Sequence, residues 1–418
     1  MSARIDRLLT AARDALRHAR RLDSADRRRG LLAMAEALEA EQAAILEANA
    51  ADLAAADGLD PALKDRLRLS PERVSALVTA VREVADMPDP LAEERNLGAG
   101  AQGIEVFKRR IPLGVLAVVY EARPNVTAEC AALAVASGNA IVLRGGKEAC
   151  HSNAAIGRAV EAGLAKAGLP AGLVAVIADS SREDVKALLG AVGRVDLVIP
   201  RGGAGLMRMV DEHAKVPVIR HGQGICHVFV DAAADLDMAA QIAFNAKVHR
   251  PSVCNAMETL LVHADVVAPL LGALGPKLSE AGVELHADPA ARAALESAGV
   301  ASIPATSEDW DTEFQSLTLA IRTVQDLDAA IDHVAVHGSS HTASIVTESA
   351  EQAERFLNEV DTSCVLWNAS TRFNDGGQLG FGAEIGISTT RMHAFGPMSV
   401  RELTAEKLVV RGTGQVRA

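Results

Sequence analysis

Cys254 stands in HRPSVCNAMETLLVH, where a helical pattern gives way to a strand pattern. Arg250 lies four residues upstream and His249 adjoins it. A cation near a thiol favours the thiolate, the form that attacks acyl carbons. Cys130 and Cys150 fall in Ala-rich helical patterns and Cys364 in a strand run, which reads as inert packing. The five cysteines, with Cys226, are odd in number, widely spaced and free of any CxxC pair. That argues against a disulfide framework or a zinc site. The histidines of HVAVHGSSH (333–341) have no acidic companion and no HExxH pattern, so no metal is expected.

Three glycine-rich segments offer a second chemistry: RGGKEA (144–149), RGGAG (201–205) and HGQG (221–224). Each joins glycine, which lets backbone approach a ligand, to a cation that can meet phosphate. A lone glycine pair is usually an ordinary tight turn; three at corresponding strand ends point to a nucleotide. No GxGxxG follows the first strand pattern, where the chain reads YEARPNV (120–126). A dinucleotide would therefore bind in a variant mode.

The elements that position these residues follow from periodicity. Residues 1 to about 90 are helical in pattern, with Ser70-Pro71 reading as an N-cap and first helical residue. From 111 the chain alternates short apolar runs with helical segments. VLAVVY (115–120), AIVLR (140–144), LVAVIA (173–178) and VDLVIP (195–200) read as strands buried on both faces, with helices near 126–137, 151–167 and 182–190. HVFVD (227–231), ETLLVH (258–263), LTLAIRTV (317–324), TASIVTE (342–348) and SCVLWN (363–368) form a second set. Two parallel-sheet α/β domains are expected. The Gly-rich RFNDGGQLGFGAEIGIST that follows reads as a loop or an inter-subunit strand region.

Composition sets the outer limits. The net charge of −12 is the wrong sign for binding a phosphate backbone, and 3% aromatics leave no stacking surface for RNA, so no nucleic acid is expected. No apolar run reaches the roughly 18 residues of a membrane span, and the Arg- and Asp-rich start lacks a signal peptide's apolar stretch. A cytoplasmic protein is expected.

Longer blocks carry a resemblance. IPLGVLAVVYEARPNVTAECAALAVASGNAIVLRGGKEA, VIPRGGAGL, VPVIRHGQGICHVFVD, RPSVCNAMETLLVH, FGAEIGIST and GPMSVRELTAEKLVVRGTGQVR follow one another over about 104–418. Together they resemble the gamma-glutamyl phosphate reductase family of the aldehyde dehydrogenase superfamily. The resemblance implies an aldehyde dehydrogenase-like α/β fold with a helical N-terminal region and a small oligomerisation element. The expected division is 1–224 for the helical N-terminus and NADP-binding domain and 225–363 for the catalytic domain. Residues 364–418 would return to the first domain and carry the oligomerisation element.

The activity implied is NADPH-dependent reduction of L-glutamyl 5-phosphate to glutamate 5-semialdehyde and phosphate, the second step of proline synthesis. The alternative is a superfamily relative acting on another aldehyde or acyl phosphate. The resemblance puts the nucleophile on Cys254, the oxyanion-hole amide on Asn125, and cofactor contacts on Arg144, Lys147, Arg201, Gly202, Gly203 and Glu313. Lys147 falls where the superfamily's ribose-binding Glu usually stands; a cation there favours the 2′-phosphate of NADPH over NADH. The resemblance implies no counterpart in PVIRHGQG to the superfamily's water-activating acid, with Ile219 falling near its place, and a thioester reduced to the aldehyde needs no such water. Arg123, Arg220 and Arg250 are candidates for the substrate's carboxylate or phosphate, with structural ion pairs as the equal alternative. Ala343 and Phe395 depart from the family's usual residues in HTA and HAFGPM. A homodimer or tetramer is implied, and functional coupling to glutamate 5-kinase is possible.

Overall fold

The computed structural model describes residues 3–417 apart from 57, 60, 178–180, 220 and 221. The chain opens with helices α1 (Ala3–Ala19), α2 (Ser24–Ala40), α3 (Gln42–Ala54), α4 (Pro61–Leu67) and α5 (Pro71–Asp86). The Ser70 side chain accepts from the Arg73 N–H at 3.2 Å, so the serine caps α5 as its spacing before Pro71 predicts. Strands β1 (Glu94–Ala99) and β2 (Glu105–Pro112) lead into alternating elements: β3 (Val115–Tyr120), α6 (Asn125–Ala136), β4 (Ala140–Arg144), α7 (Cys150–Lys166), β5 (Val174–Ile177), α8 (Arg182–Leu189), β6 (Leu197–Arg201) and α9 (Ala204–His213).

Strands β3 to β6 pair in parallel in the order β5-β4-β3-β6. All six residues of β3 are buried, which is why it reads as an unbroken apolar run. The chain leaves β3 toward β4 on one side and returns to β6 on the other. Such a reversal opens a crevice beyond the carboxyl ends of β3 and β6, where α/β sheets bind ligands.

A second alternation follows: β7 (Cys226–Val230), α10 (Leu236–Val248), β8 (Met257–His263), α11 (Val267–Glu280), β9 (Glu284–Ala287), α12 (Pro289–Ser297), β10 (Ile303–Pro304), β11 (Thr318–Val324), α13 (Leu327–His337), β12 (Thr342–Val346), α14 (Ala350–Glu359) and β13 (Cys364–Trp367). Its seven strands run parallel in the order β10-β9-β11-β8-β7-β12-β13. Alternation divides the core between the faces. Val228, Val230, Leu260 and Val262 pack with residues of α10, α11 and α12, whereas Phe229, Leu261 and Ile345 pack with residues of α13 and α14.

Two short strands, β14 (Gly386–Ser388) and β15 (Gly396–Met398), pair with each other, and β16 (Thr404–Arg411) completes an antiparallel sheet ordered β1-β2-β16. The chain forms two compact units: 1–220, 380–386 and 398–418 in the first, 221–379 and 387–397 in the second. The second unit thus runs past 363, because β13 pairs with β12 and extends the same sheet. Only 380–386 and 398–418 return to the first unit.

Candidate active site

Cys254 sits in the turn between α10 and β8 and is exposed, whereas Cys130 and Cys226 are buried and Cys150 and Cys364 are intermediate; all five are free. The turn is held from beneath. The Cys226 thiol donates to the Cys254 carbonyl at 3.1 Å. A Cβ on Gly224 would lie 2.0 Å from that carbonyl oxygen and 2.8 Å from Cys254 Cα, so only glycine lets this backbone approach the Cys254 turn. The next residue, Asn255, is buried. Its side chain donates to the Asn374 carbonyl at 2.9 Å, and its own carbonyl accepts from Thr371 Oγ1 at 2.7 Å. Cys254 lies before the start of β8, beside the start of β7. In this unit the exposed thiol therefore lies at the amino ends of the strands, not the carboxyl ends.

Two cations share this surroundings. Arg250 is exposed in the same turn. Arg372, half-buried in the 371–373 turn after β13, was missed by sequence reasoning because it hides in the glycine-rich tail. Its Nε donates to His249 Nδ1 at 3.4 Å. Burial and the neighbouring Arg250 depress its pKa; Asp375 and the sulfurs of Cys254 and Cys226 support its charge. The signal that could have found it is an arginine inside a segment otherwise made of small residues. Burial raises the pKa of Cys226 and pushes that of Cys364 up to about 11, which fits the inert reading of Cys364.

Behind the turn, Lys247 of α10 and Glu258 of β8 form a fully buried ion pair at 2.5 Å. Burial drives the Glu258 pKa up to about 7 against the pull of Lys247. Glu258 also accepts from the Gln315 N–H at 3.3 Å, and the Lys247 ammonium lies 5.9 Å from the Phe314 ring. The pair thereby anchors the loop carrying Glu313, which is half-buried. Phe395 lies beside Arg391, whose guanidinium is 5.6 Å from its ring, and Ala343 is buried in β12.

In the first unit the carboxyl ends of the strands gather the remaining candidates. Arg144 ends β4, and its Nε is buried with no hydrogen-bond partner among the described residues. Burial lowers its pKa while Glu148, Asp184 and Glu121 support its charge. Lys147 is exposed and forms no ion pair among the described residues. Arg201 ends β6, and Gly202 and Gly203 lead into α9. The Gly203 N–H at the α9 N-terminus already donates to Glu121 at 2.8 Å, and the Ala122 N–H donates to Glu148 at 2.6 Å. Ala122 has φ of +39°, a strained backbone next to the β3 turn. Asn125 opens α6, and its amide donates to both oxygens of Glu129, at 3.0 and 3.1 Å. Arg123 is half-buried in the same turn. Ile219 is buried and hydrogen-bonded through its N–H to Val198. Arg220 lies outside the described residues.

One cluster mimics a metal site: donor atoms of Asp52, Cys150 and His151 lie within 4.8 Å of one another. The Asp52 oxygens, however, accept from the N–H groups of His151 and Ser152 at 3.1 and 2.8 Å, capping α7 from α3.

The profile of the aldehyde dehydrogenase family matches residues 1–298. The gamma-glutamyl phosphate reductase of Xanthomonas axonopodis pv. citri (strain 306) is 49% identical over 415 residues, covering 99% of each chain. That of Anaeromyxobacter sp. (strain Fw109-5) is 49% identical over 420 residues, covering 100% of this chain and 98% of its own. The chain belongs to the aldehyde dehydrogenase family, among its gamma-glutamyl phosphate reductases. The crystal structure of the Thermotoga maritima gamma-glutamyl phosphate reductase superposes with a TM-score of 0.94 at 39% identity, over 99% of this chain and 100% of that one. An engineered glycolyl-CoA reductase solved with bound NADP+ shares the fold at 18% identity and a TM-score of 0.70. Family membership accounts for the doubly wound sheets, and it makes the chain an oxidoreductase.

Proposed function

We propose that the chain reduces L-glutamyl 5-phosphate to L-glutamate 5-semialdehyde and inorganic phosphate, with NADPH as reductant and Cys254 as nucleophile. The observation that carries this reading is the exposed Cys254 thiol on a braced turn, with Arg250 and Arg372 as its cationic neighbours. Cations stabilise the thiolate, and bracing fixes where it points. Attack on the acyl carbon forms the sulfur–carbon bond and expels phosphate, leaving a thioester on Cys254. Asn125 donates an N–H to the oxyanion formed in that step; one such donor is worth about 3 kcal/mol. Phosphate is a good leaving group, so the step needs little general acid. Bound NADPH supplies the hydride that converts the acyl group to the aldehyde, and Cys254 is released as thiolate.

The residues that would hold NADPH fit it. The Arg144 Nε and the Lys147 ammonium, unpaired among the described residues, supply cationic donors for phosphate, with Arg201, Gly202 and Gly203 beside the β3–β6 reversal. Glu313 is kept as a candidate for the cofactor's ribose. With Ile219 where a water-activating acid would stand, the thioester is protected from hydrolysis. Arg123, Arg220 and Arg250 are kept for the anionic ends of the substrate.

The chain also assembles with copies of itself through the β1-β2-β16 sheet, where Leu97, Leu408 and Val410 are exposed and both outer strands have an open edge. Coupling to the kinase that makes the unstable acyl phosphate belongs to the same reading. No described helix is long and apolar enough to cross a membrane.

The test is alkylation mapped by mass spectrometry. Cys254 is expected to react first, in step with loss of activity, and to be protected by substrate. Loss of activity while Cys254 stays unmodified would overturn the assignment.

A further inference from the structure

Glu129 stands one turn beyond Asn125 on α6, with both side chains half-buried at the carboxyl end of β3. The Asn125 amide donates to both Glu129 oxygens, at 3.0 and 3.1 Å. Among the described residues no cation pairs with Glu129, although carboxylates elsewhere in this unit are paired freely, as Asp89 is with Arg27 and Glu94 with Arg109. An uncompensated carboxylate beside an oxyanion donor opposes the charge that donor must stabilise. The arrangement makes chemical sense if the substrate itself brings the missing cation.

We propose that Glu129 is a specificity-determining residue that binds the α-ammonium group of the substrate. The inference rests on the functional reading above. In an L-glutamyl substrate the α-carbon is three bonds from the acyl carbon, so the ammonium lies roughly 5 Å from the reacting carbonyl. One Asn125 N–H stays on Glu129 while the other meets the oxyanion, and the ammonium takes the outer face of the carboxylate. A charge-assisted hydrogen bond of this kind is about twice as strong as a neutral one. The correct substrate thereby neutralises Glu129 at the moment Asn125 is needed. A substrate lacking the amino group leaves the negative charge in place, so discrimination falls on kcat as well as on KM.

The test compares two aldehydes in the reverse direction, with NADP+ and inorganic phosphate: glutamate 5-semialdehyde and its des-amino analogue 5-oxopentanoate. Wild-type protein is expected to prefer the amino aldehyde. Glu129→Gln, with an unchanged melting temperature, is expected to shift kcat/KM in opposite directions, down at least tenfold for the amino aldehyde and up for the analogue. Glu129→Asp, which keeps the charge, is expected to retain the preference and serves if the glutamine variant folds poorly. A parallel fall for both aldehydes in Glu129→Gln would overturn the proposal and leave Glu129 as a positioning residue for Asn125. An unchanged ratio would overturn it too. Wild-type protein inactive on glutamate 5-semialdehyde would instead remove the functional reading, and this proposal with it.

Discussion

The sequence singles out Cys254 as a thiol four residues after an arginine at a helix-to-strand junction, and the structure leaves that thiol exposed. Arg372 was not legible there, because its relation to Cys254 is made by packing more than a hundred residues downstream. Its charge predicts a measurable effect. In Arg372→Gln the midpoint of the pH dependence of Cys254 alkylation moves upward, since removing a neighbouring cation disfavours the thiolate. A midpoint that stays put would leave Arg250 as the governing cation. Lys147 carries a second prediction at this scale. Lys147→Glu raises KM for NADPH roughly tenfold or more and leaves NADH nearly unaffected, because only the former carries a 2′-phosphate for the charge to repel. Steady-state kinetics with both cofactors decides it, and equal losses would move the phosphate contact elsewhere.

At the scale of elements, the strands were the readable part. Residues 115–120 and 140–144 are strands at the bounds that their continuous apolar runs predict. The β1-β2-β16 sheet escaped, because ERNLGA is exposed throughout and EVFKRRIP is mostly half-buried, so neither shows a clear buried face. β9 escaped because ELHA holds no continuous apolar run. The turn bearing Cys254 depends on contacts that periodicity does not report, and these can be tested singly. Gly224→Ala forces a Cβ to 2.0 Å from the Cys254 carbonyl, so the turn must shift. The expected result is a fall of more than tenfold in kcat, with a destabilisation of about 1–3 kcal/mol. Normal kcat with normal melting would mean the bracing is unimportant. Glu258→Gln leaves the buried Lys247 ammonium without its counter-charge, and about 3 kcal/mol of stability is expected to go in urea titrations.

For the whole molecule, the two sheet-centred units follow from the two runs of strand patterns. The places where the chain crosses between the units do not, since local composition is similar on either side. The second unit also carries a buried histidine pair whose surroundings predict acid sensitivity. His227 and His333 are buried with rings 5.2 Å apart, and burial pushes their pKa values down to about 4 and about 2. A depressed histidine binds its proton in the unfolded chain but not in the folded one. Stability is therefore full above the unfolded value near 6.5 and falls as the pH drops toward 4, by about 1.4 kcal/mol per unit per histidine. Thermal melts between pH 7 and 4 should show that slope, and His227→Gln should halve it. A flat profile would mean the cluster is hydrated and free to protonate.

The assigned reaction is tested most directly in reverse, with pyrroline-5-carboxylate and NADP+, following cofactor reduction with and without inorganic phosphate. Reduction that requires phosphate and vanishes in Cys254→Ala is the expected result, because the proposed thioester on Cys254 would be resolved by phosphate. Reduction at the same rate without phosphate would contradict it, since water would then be resolving the acyl group and the substrate would be an ordinary aldehyde.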